Sequence, residues 1–225
     1  MTQEEAGQKE CIWIFGGGKF GLRAVHMLLQ KYVSAKLVVV DAQKIDGLPD
    51  SVVFVEGDAV EWLVENLLPN TPVTKIVPAV PLHLAAKWLE IKLTQMGIAV
   101  KPMALRDELL RKLPNPYRLS TSQAAISYAD VLCPANCVEP DGYCTSTGEK
   151  RDLALYCLLS NLQHSSIEPI IIPSRQFAAG VGGVYPVDLW NLLKRVTVSP
   201  RSQLIIGTAC KCHGIIDGLI HGSSG

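Results

Sequence analysis

Cys11-Ile12-Trp13-Ile14-Phe15-Gly16-Gly17-Gly18-Lys19-Phe20-Gly21 decides how the chain is read. Ile12 to Phe15 form an apolar run of strand length, and Gly16, Gly18 and Gly21 follow at the spacing G-x-G-x-x-G. From Leu22 to Gln30 a helical pattern takes over, with Phe20, Leu22, Val25, Leu28 and Leu29 on or near one face. Strand, glycine turn and helix in that order are what a dinucleotide-binding turn requires. Gly16 permits the sharp exit from the strand, Gly18 lets a pyrophosphate approach the backbone, and Gly21 lets the helix pack close. The phosphate charge then meets the free N–H groups of the helix N-terminus, with Lys19 and Phe20 in the same turn. A bare glycine pattern also fits a structural turn, so the surroundings carry the reading. Val38-Val39-Val40 is a second apolar run that ends in Asp41, twenty residues beyond Gly21. A carboxylate there accepts hydrogen bonds from the adenosine ribose and repels a 2′-phosphate, which predicts NAD(H) as cofactor. A Walker loop is excluded, because Phe20 stands where Ser or Thr is needed and Trp13 where the first Gly is needed.

Working outward, Val52 to Val55 read as a third strand before Glu56-Gly57-Asp58, and Val60, Leu63, Val64, Leu67 and Leu68 as an amphipathic helix. Lys75 to Val80 are a fourth strand, and Leu84, Trp88 and Ile91 mark a helix ending near Gly97. Ile98 to Val100 read as a fifth strand, and Leu105 to Leu113 as a helix stopped by Pro114. Alternation of this kind predicts an α/β fold, a doubly wound parallel sheet, over residues 1–114. Residues 1–10 are polar and read as a tail.

The residues Gly16-Gly17-Gly18-Lys19-Phe20-Gly21, Val39-Val40-Asp41 and Val55-Glu56-Gly57-Asp58 resemble the nucleotide-binding domain of Trk-type potassium-uptake regulators. The resemblance covers about residues 11–80 and implies a Rossmann domain. It implies that the glycines hold the pyrophosphate, that Asp41 holds the ribose, and that Asp58 lies near the adenosine.

Residues 115–225 read as a smaller, cysteine-rich α/β part. Ser122 to Val131 and Lys150 to Gln163 look helical, and Pro169 to Pro173 enclose a strand. Ala179 to Gly183 form a second glycine loop before a helix from Pro186, and Leu204 to Ile206 are a last strand. The closing residues from His221 read as a flexible tail. Cys133, Cys137 and Cys144 give C-x3-C-x6-C in a loop held by Pro134, Pro140 and Gly142. A further ligand is available in Cys210-Lys211-Cys212-His213. Such thiols can converge on one centre, an iron–sulfur cluster or, alternatively, structural zinc. The other reading is unligated loop cysteines. Cys11 and Cys157 lie on apolar elements and read as packing residues.

His83 follows the fourth strand and reads either as a general acid–base group facing a nicotinamide or as a helix-start residue with one hydrogen bond. Ser174-Arg175-Gln176 reads as an anion anchor or as a turn with a solvated Arg. No Ser-His-Asp spacing and no H-E-x-x-H are present. Twenty-one basic and twenty-one acidic residues cancel, which argues against a nucleic-acid partner. The apolar runs fall short of the roughly 20 residues of a membrane span. The N-terminal residues lack a signal-peptide pattern, so a cytoplasmic protein is expected, and seven cysteines then point to metal or redox use. The sequence thus predicts an NAD(H)-binding redox protein or oxidoreductase subunit with a cysteine-ligated metal site and a redox partner protein, compatible with a homo-oligomer. The alternatives are a nucleotide-sensing regulatory protein and a small-molecule dehydrogenase.

Overall fold

The computed structural model describes residues 10–162 and 166–223. It opens with β1 (Cys11–Phe15), α1 (Lys19–Lys31), β2 (Lys36–Asp41), β3 (Val53–Glu56), α2 (Ala59–Asn66) and β4 (Lys75–Pro78). These strands form a parallel sheet in the order β3-β2-β1-β4, with Phe15 opposite Val40 on one side and Pro78 on the other. Because side chains alternate across a strand, β1 and β2 serve two cores at once. Ile12, Ile14, Leu37 and Val39 pack with Ala24, Val25 and Leu28 of α1. Trp13, Phe15, Val38 and Val40 face the opposite way, toward Leu63 of α2 and Trp88 of α3 (Leu84–Gln95). Helices therefore cover both faces of this sheet.

The parallel sheet ends at β4. β5 (Ile98–Pro102) does not extend it, contrary to the expectation of a fifth strand, and pairs antiparallel with the last strand, Pro102 opposite Leu219. After α4 (Asp107–Leu110) come β6 (Tyr117–Arg118), β7 (Gln123–Ser127), α5 (Leu155–Ser160) and β8 (Ile167–Pro173). Then follow β9 (Arg175–Ala178), β10 (Val181–Gly183), α6 (Pro186–Val198), β11 (Gln203–Ala209) and β12 (His213–Ser223). The second sheet has the order β6-β7-β12-β11-β8 and is mixed, since only β8 and β11 run parallel.

Four sequence expectations are corrected here. Ser122 to Val131 were expected to be helical, yet Gln123–Ser127 is a strand whose alternate residues Ala124 and Ile126 are buried. A short run of small and apolar residues carries no decisive period, and pairing with β12 settles it. The helix expected over Lys150 to Gln163 shrinks to Leu155–Ser160, and Gln163 itself lies outside the described residues. Gly182 and Gly183 of the second glycine loop belong to β10, which pairs with β9. Most consequential, the tail from His221 to Ser223 is the end of β12, which pairs with β11, β7 and β5. Glycine makes this strand hard to read, and Gly218 is there for space: a Cβ on it would lie 2.2 Å from the Met103 carbonyl oxygen.

The two sheets share a core. Ile170, Ile172, Leu204 and Ile206 of the second sheet join Leu189, Leu192 and Val196 of α6 and the residues under α2 and α3. The other face of the second sheet packs Ile171, Ile205 and Ile216 on Leu155 and Leu159 of α5 and Leu109 and Leu110 of α4. The β9–β10 hairpin lays Phe177, Ala178 and Val181 against the α1 core. Val184, just beyond it, exchanges backbone hydrogen bonds with Ile76 at 2.9 and 3.0 Å, so β4 is not left as an open edge. No helix among the described residues is long and apolar enough to cross a membrane.

Candidate functional site at the glycine turn and the cysteine loops

The glycine turn leaves β1 with Gly16 at φ 97°, a left-handed conformation that favours glycine, while its N–H donates to the Val40 carbonyl at 2.8 Å. A Cβ on Gly21 would sit 1.8 Å from the Gly16 carbonyl oxygen, so α1 starts hard against the strand exit. At Gly18 a Cβ would meet nothing within 4 Å, so the turn is open on that side. No side chain caps α1 and no acidic residue lies in its first turn, so its leading N–H groups remain available to an anion. Asp41 reaches across from the end of β2. Its Oδ2 accepts the Gly17 N–H at 2.6 Å and its Oδ1 the Gln43 N–H at 2.9 Å. Asp58 caps α2, accepting N–H bonds from Val60 and Glu61 at 2.8 and 2.9 Å.

Beyond the turn lie two adjoining cavities of about 440 Å³ each, both walled by Phe20 and Arg23 of α1 and by Gly180 and Gly182. One runs along Val77 to Pro81, the end of β4 and the loop beyond it. The other is lined by Cys133, Cys137, Glu139, Arg175, Thr208, Cys210 and His213. The fold thus carries the cysteine loops to the α1 side of the glycine turn, although more than a hundred residues separate them in the chain. Arg23 was missed in the sequence, since a lone Arg on a helix carries no motif. Its guanidinium lines both cavities and has no ion-pair or hydrogen-bond partner among the described residues. Arg175, read as either an anion anchor or a solvated turn residue, is instead paired with Asp188 and stacked on Tyr185, its guanidinium carbon 4.7 Å from the ring centroid. Its charge is already matched.

Cys133 Sγ lies 3.4 Å from His213 Nε2, and Cys210 Sγ 3.9 Å from His213 Nδ1. Cys210 Sγ accepts N–H groups of Cys212 and His213 at 3.3 and 3.2 Å, and Cys137 Sγ accepts the Glu139 N–H at 3.4 Å. The hydroxyl and N–H of Thr147 and the N–H of Ser146 hold the Cys144 thiol below its ordinary pKa. Turns that aim N–H groups at sulfur favour thiolates. Burial acts the other way, raising Cys133 and Cys212 and pushing Cys210, also beside Glu139, up to about 12. Burial likewise lowers the His213 pKa, so the ring tends to be neutral, as a ligand must be. Arg151 stands among these sulfurs. Its charge works against the burial that raises Cys133 and Cys212 and adds to the lowering at Cys144, and its guanidinium carbon lies 5.4 Å from the Tyr128 ring centroid.

N–H groups on sulfur and a neighbouring guanidinium are features that a thiolate-held metal site would use, while burial raises the pKa values of Cys133, Cys210 and Cys212 and so works against thiolates. The side-chain positions do not by themselves close a shell, because no three His, Cys, Asp or Glu groups converge on one ion among the described residues. Cys11 packs against the core around Trp13, and Cys157 lies half-buried on α5.

His83 lies outside both large cavities. It is 4% exposed and held at both ring nitrogens, by Asp217 Oδ2 at 2.6 Å and Thr208 Oγ1 at 2.8 Å. Neither reading of the sequence anticipated this pair of contacts, which join residues 134 and 125 positions apart.

With this geometry in place, comparison with known proteins adds one assignment. The profile of AF_1314_C, described as the C-terminal domain of an uncharacterized protein, matches residues 83–222. The chain belongs to this family. The matched span takes in the second sheet, the cysteine loops, and His83, Thr208 and Asp217, and begins after the glycine turn. A protein of Archaeoglobus fulgidus, described only as uncharacterized, is 28% identical over 222 residues, covering 92% of this chain and 97% of its own length. No solved structure matches the chain.

Proposed function

We propose that the chain binds NAD(H) at the turn between β1 and α1, its first sheet being the Rossmann-like, doubly wound half of the fold. On this reading it is a redox protein or oxidoreductase subunit whose nicotinamide end faces the cysteine-walled cavity. One observation carries the proposal. In the order β3-β2-β1-β4 the chain reverses direction of winding at β1, and Phe20 and Arg23 of α1, just after the glycine turn, wall both cavities beside that switch point. The adenosine half of the dinucleotide then falls on the Asp41 side, and the nicotinamide half beside Val77 to Pro81. Cys133, Cys137, Cys144 and Cys210 or Cys212 are the residues to hold a metal, an iron–sulfur cluster in the leading form and zinc in the alternative. A bound cluster supplies one-electron transfer, and Arg151 balances the charge of its thiolates.

A second reading, a dehydrogenase for a small anionic substrate, is favoured by Arg23, which lines both cavities and whose charge is unmatched among the described residues. Calorimetric titration with NADH and NADPH tests the shared part. The Asp41 carboxylate opposes a 2′-phosphate, so NADH is expected to bind at least about tenfold more tightly, or about 1.4 kcal/mol. Tighter binding of NADPH refutes the cofactor assignment. Anaerobic purification with metal analysis and a visible spectrum tests the other part: iron with broad visible absorption supports the cluster, stoichiometric zinc in colourless protein the alternative. Metal-free, fully folded protein removes the metal from the reading.

A further inference from the structure

His83, Asp217 and Thr208 form a chain of groups that the dinucleotide reading does not use. Asp217 Oδ2 lies 2.6 Å from His83 Nδ1, and Asp217 Oδ1 accepts from Gln123 Nε2 at 2.9 Å. A carboxylate only accepts, so it fixes the imidazole proton on Nδ1 and leaves Nε2 as an acceptor. The Thr208 hydroxyl, 2.8 Å from Nε2, then donates to it. The hydroxyl thus faces a base, and the base is oriented by a third group, the arrangement that activates a nucleophile. Packing alone does not call for it. A helix-start histidine needs one partner, whereas here a carboxylate 8% exposed lies behind a histidine 4% exposed.

The surroundings supply a place for a substrate. A cavity of about 160 Å³ is lined by His83 and Thr208 together with Ile76, Leu82, Val184 and Leu189. Leu84 and Ala85 of the first turn of α3 border the same cavity, and the His83 side chain does not cap that helix. The N–H groups of this turn have no intrahelical partner and can receive negative charge.

We propose that Thr208 is the nucleophile of an acyl-transfer site that hydrolyses esters of short apolar acids. Thr208 Oγ1 forms a bond to the acyl carbon as its proton passes to His83 Nε2. The carbonyl electron pair moves onto oxygen, beside the N–H groups of Leu84 and Ala85. Return of that pair breaks the bond to the alcohol oxygen, which leaves with the proton from His83. Water then attacks the acyl-threonine, giving its proton to His83 and releasing the acid, and His83 reprotonates Thr208. Asp217 is the positioning residue, acting through His83.

An alkyl fluorophosphonate, which transfers a phosphonyl group to an activated hydroxyl with loss of fluoride, is the probe. The full chain is labelled and the adduct located by peptide mass spectrometry, with circular dichroism and thermal melting recorded for every variant. The expected result is an adduct on Thr208 that is absent in Thr208→Val, a substitution of matched shape, and present in Thr208→Ser. His83→Gln is expected to slow labelling at least about 100-fold. Asp217→Asn is expected to lower the maximal labelling rate while leaving the half-saturating probe concentration unchanged, which loss of structure alone does not do. Folded wild-type protein with no adduct on Thr208, or labelling at the wild-type rate in folded His83→Gln, overturns the proposal.

Discussion

Gly21→Ala is expected to destabilise the protein by about 3 kcal/mol, while Gly18→Val leaves stability unchanged and removes dinucleotide binding. The two glycines stand three residues apart in one motif, yet they meet opposite surroundings. A Cβ on Gly21 would lie 1.8 Å from the Gly16 carbonyl oxygen, with the Ala79 Cβ at 3.8 Å, so the methyl group can be accommodated only by moving α1 off β1. That contact is backbone against helix, and neither side can rotate away. At Gly18 the backbone has φ −67° and ψ −167°, an extended conformation that any residue adopts, and nothing lies within 4 Å of the Cβ position. A valine there projects into the space proposed for the pyrophosphate. For a chain of this size, about 3 kcal/mol corresponds to a fall of roughly 6–12 °C in Tm, measurable by calorimetry. The accompanying titration of Gly18→Val should show NADH affinity reduced at least about 100-fold, or about 2.7 kcal/mol. Unchanged NADH binding by Gly18→Val would show that the motif is a structural turn alone.

Asp217→Ala is expected to be costlier still, about 3–5 kcal/mol, because it breaks a buried, doubly bonded group from one side. The substitution leaves His83 Nδ1 and the Gln123 amide without the carboxylate that both contact, at 2.6 and 2.9 Å. Water cannot readily replace it, since Asp217 sits in the strand shared by β11 and β7, opposite Ile206 and Gln123. Equilibrium urea unfolding measures the loss. A change under about 1 kcal/mol would mean that the site relaxes or hydrates, and that the network contributes little to holding α3 on the second sheet.

β1 and β2 were legible because strands buried on both faces are continuous apolar runs. Ile12 to Phe15 and Leu37 to Val40 are buried throughout, and the composition of each run admits little else. β12 was illegible for the opposite reason. It is the strand that pairs with three others, but Gly214, Gly218 and Gly222 interrupt its apolar pattern, and Gly214 and Gly218 answer to neighbours rather than to a local rule. β5 looked like the next strand of the parallel sheet because its residues specify extended backbone and say nothing of a partner. Its partner, Leu219 to Ser223, lies at the far end of the chain.

The candidate site divides the same way. The sequence by itself determined the glycine turn, Asp41 at the end of β2 and the loop of Cys133, Cys137 and Cys144, since each is set by short-range spacing and backbone geometry. Tertiary structure alone decided that the cysteine loops line one cavity with Phe20 and Arg23 of α1, that Arg175 is neutralised by Asp188 while Arg23 is not, and that His83 meets Thr208 and Asp217. These are contacts between elements joined through two sheets and a common core. Their energy depends on distances that no local pattern of residues encodes.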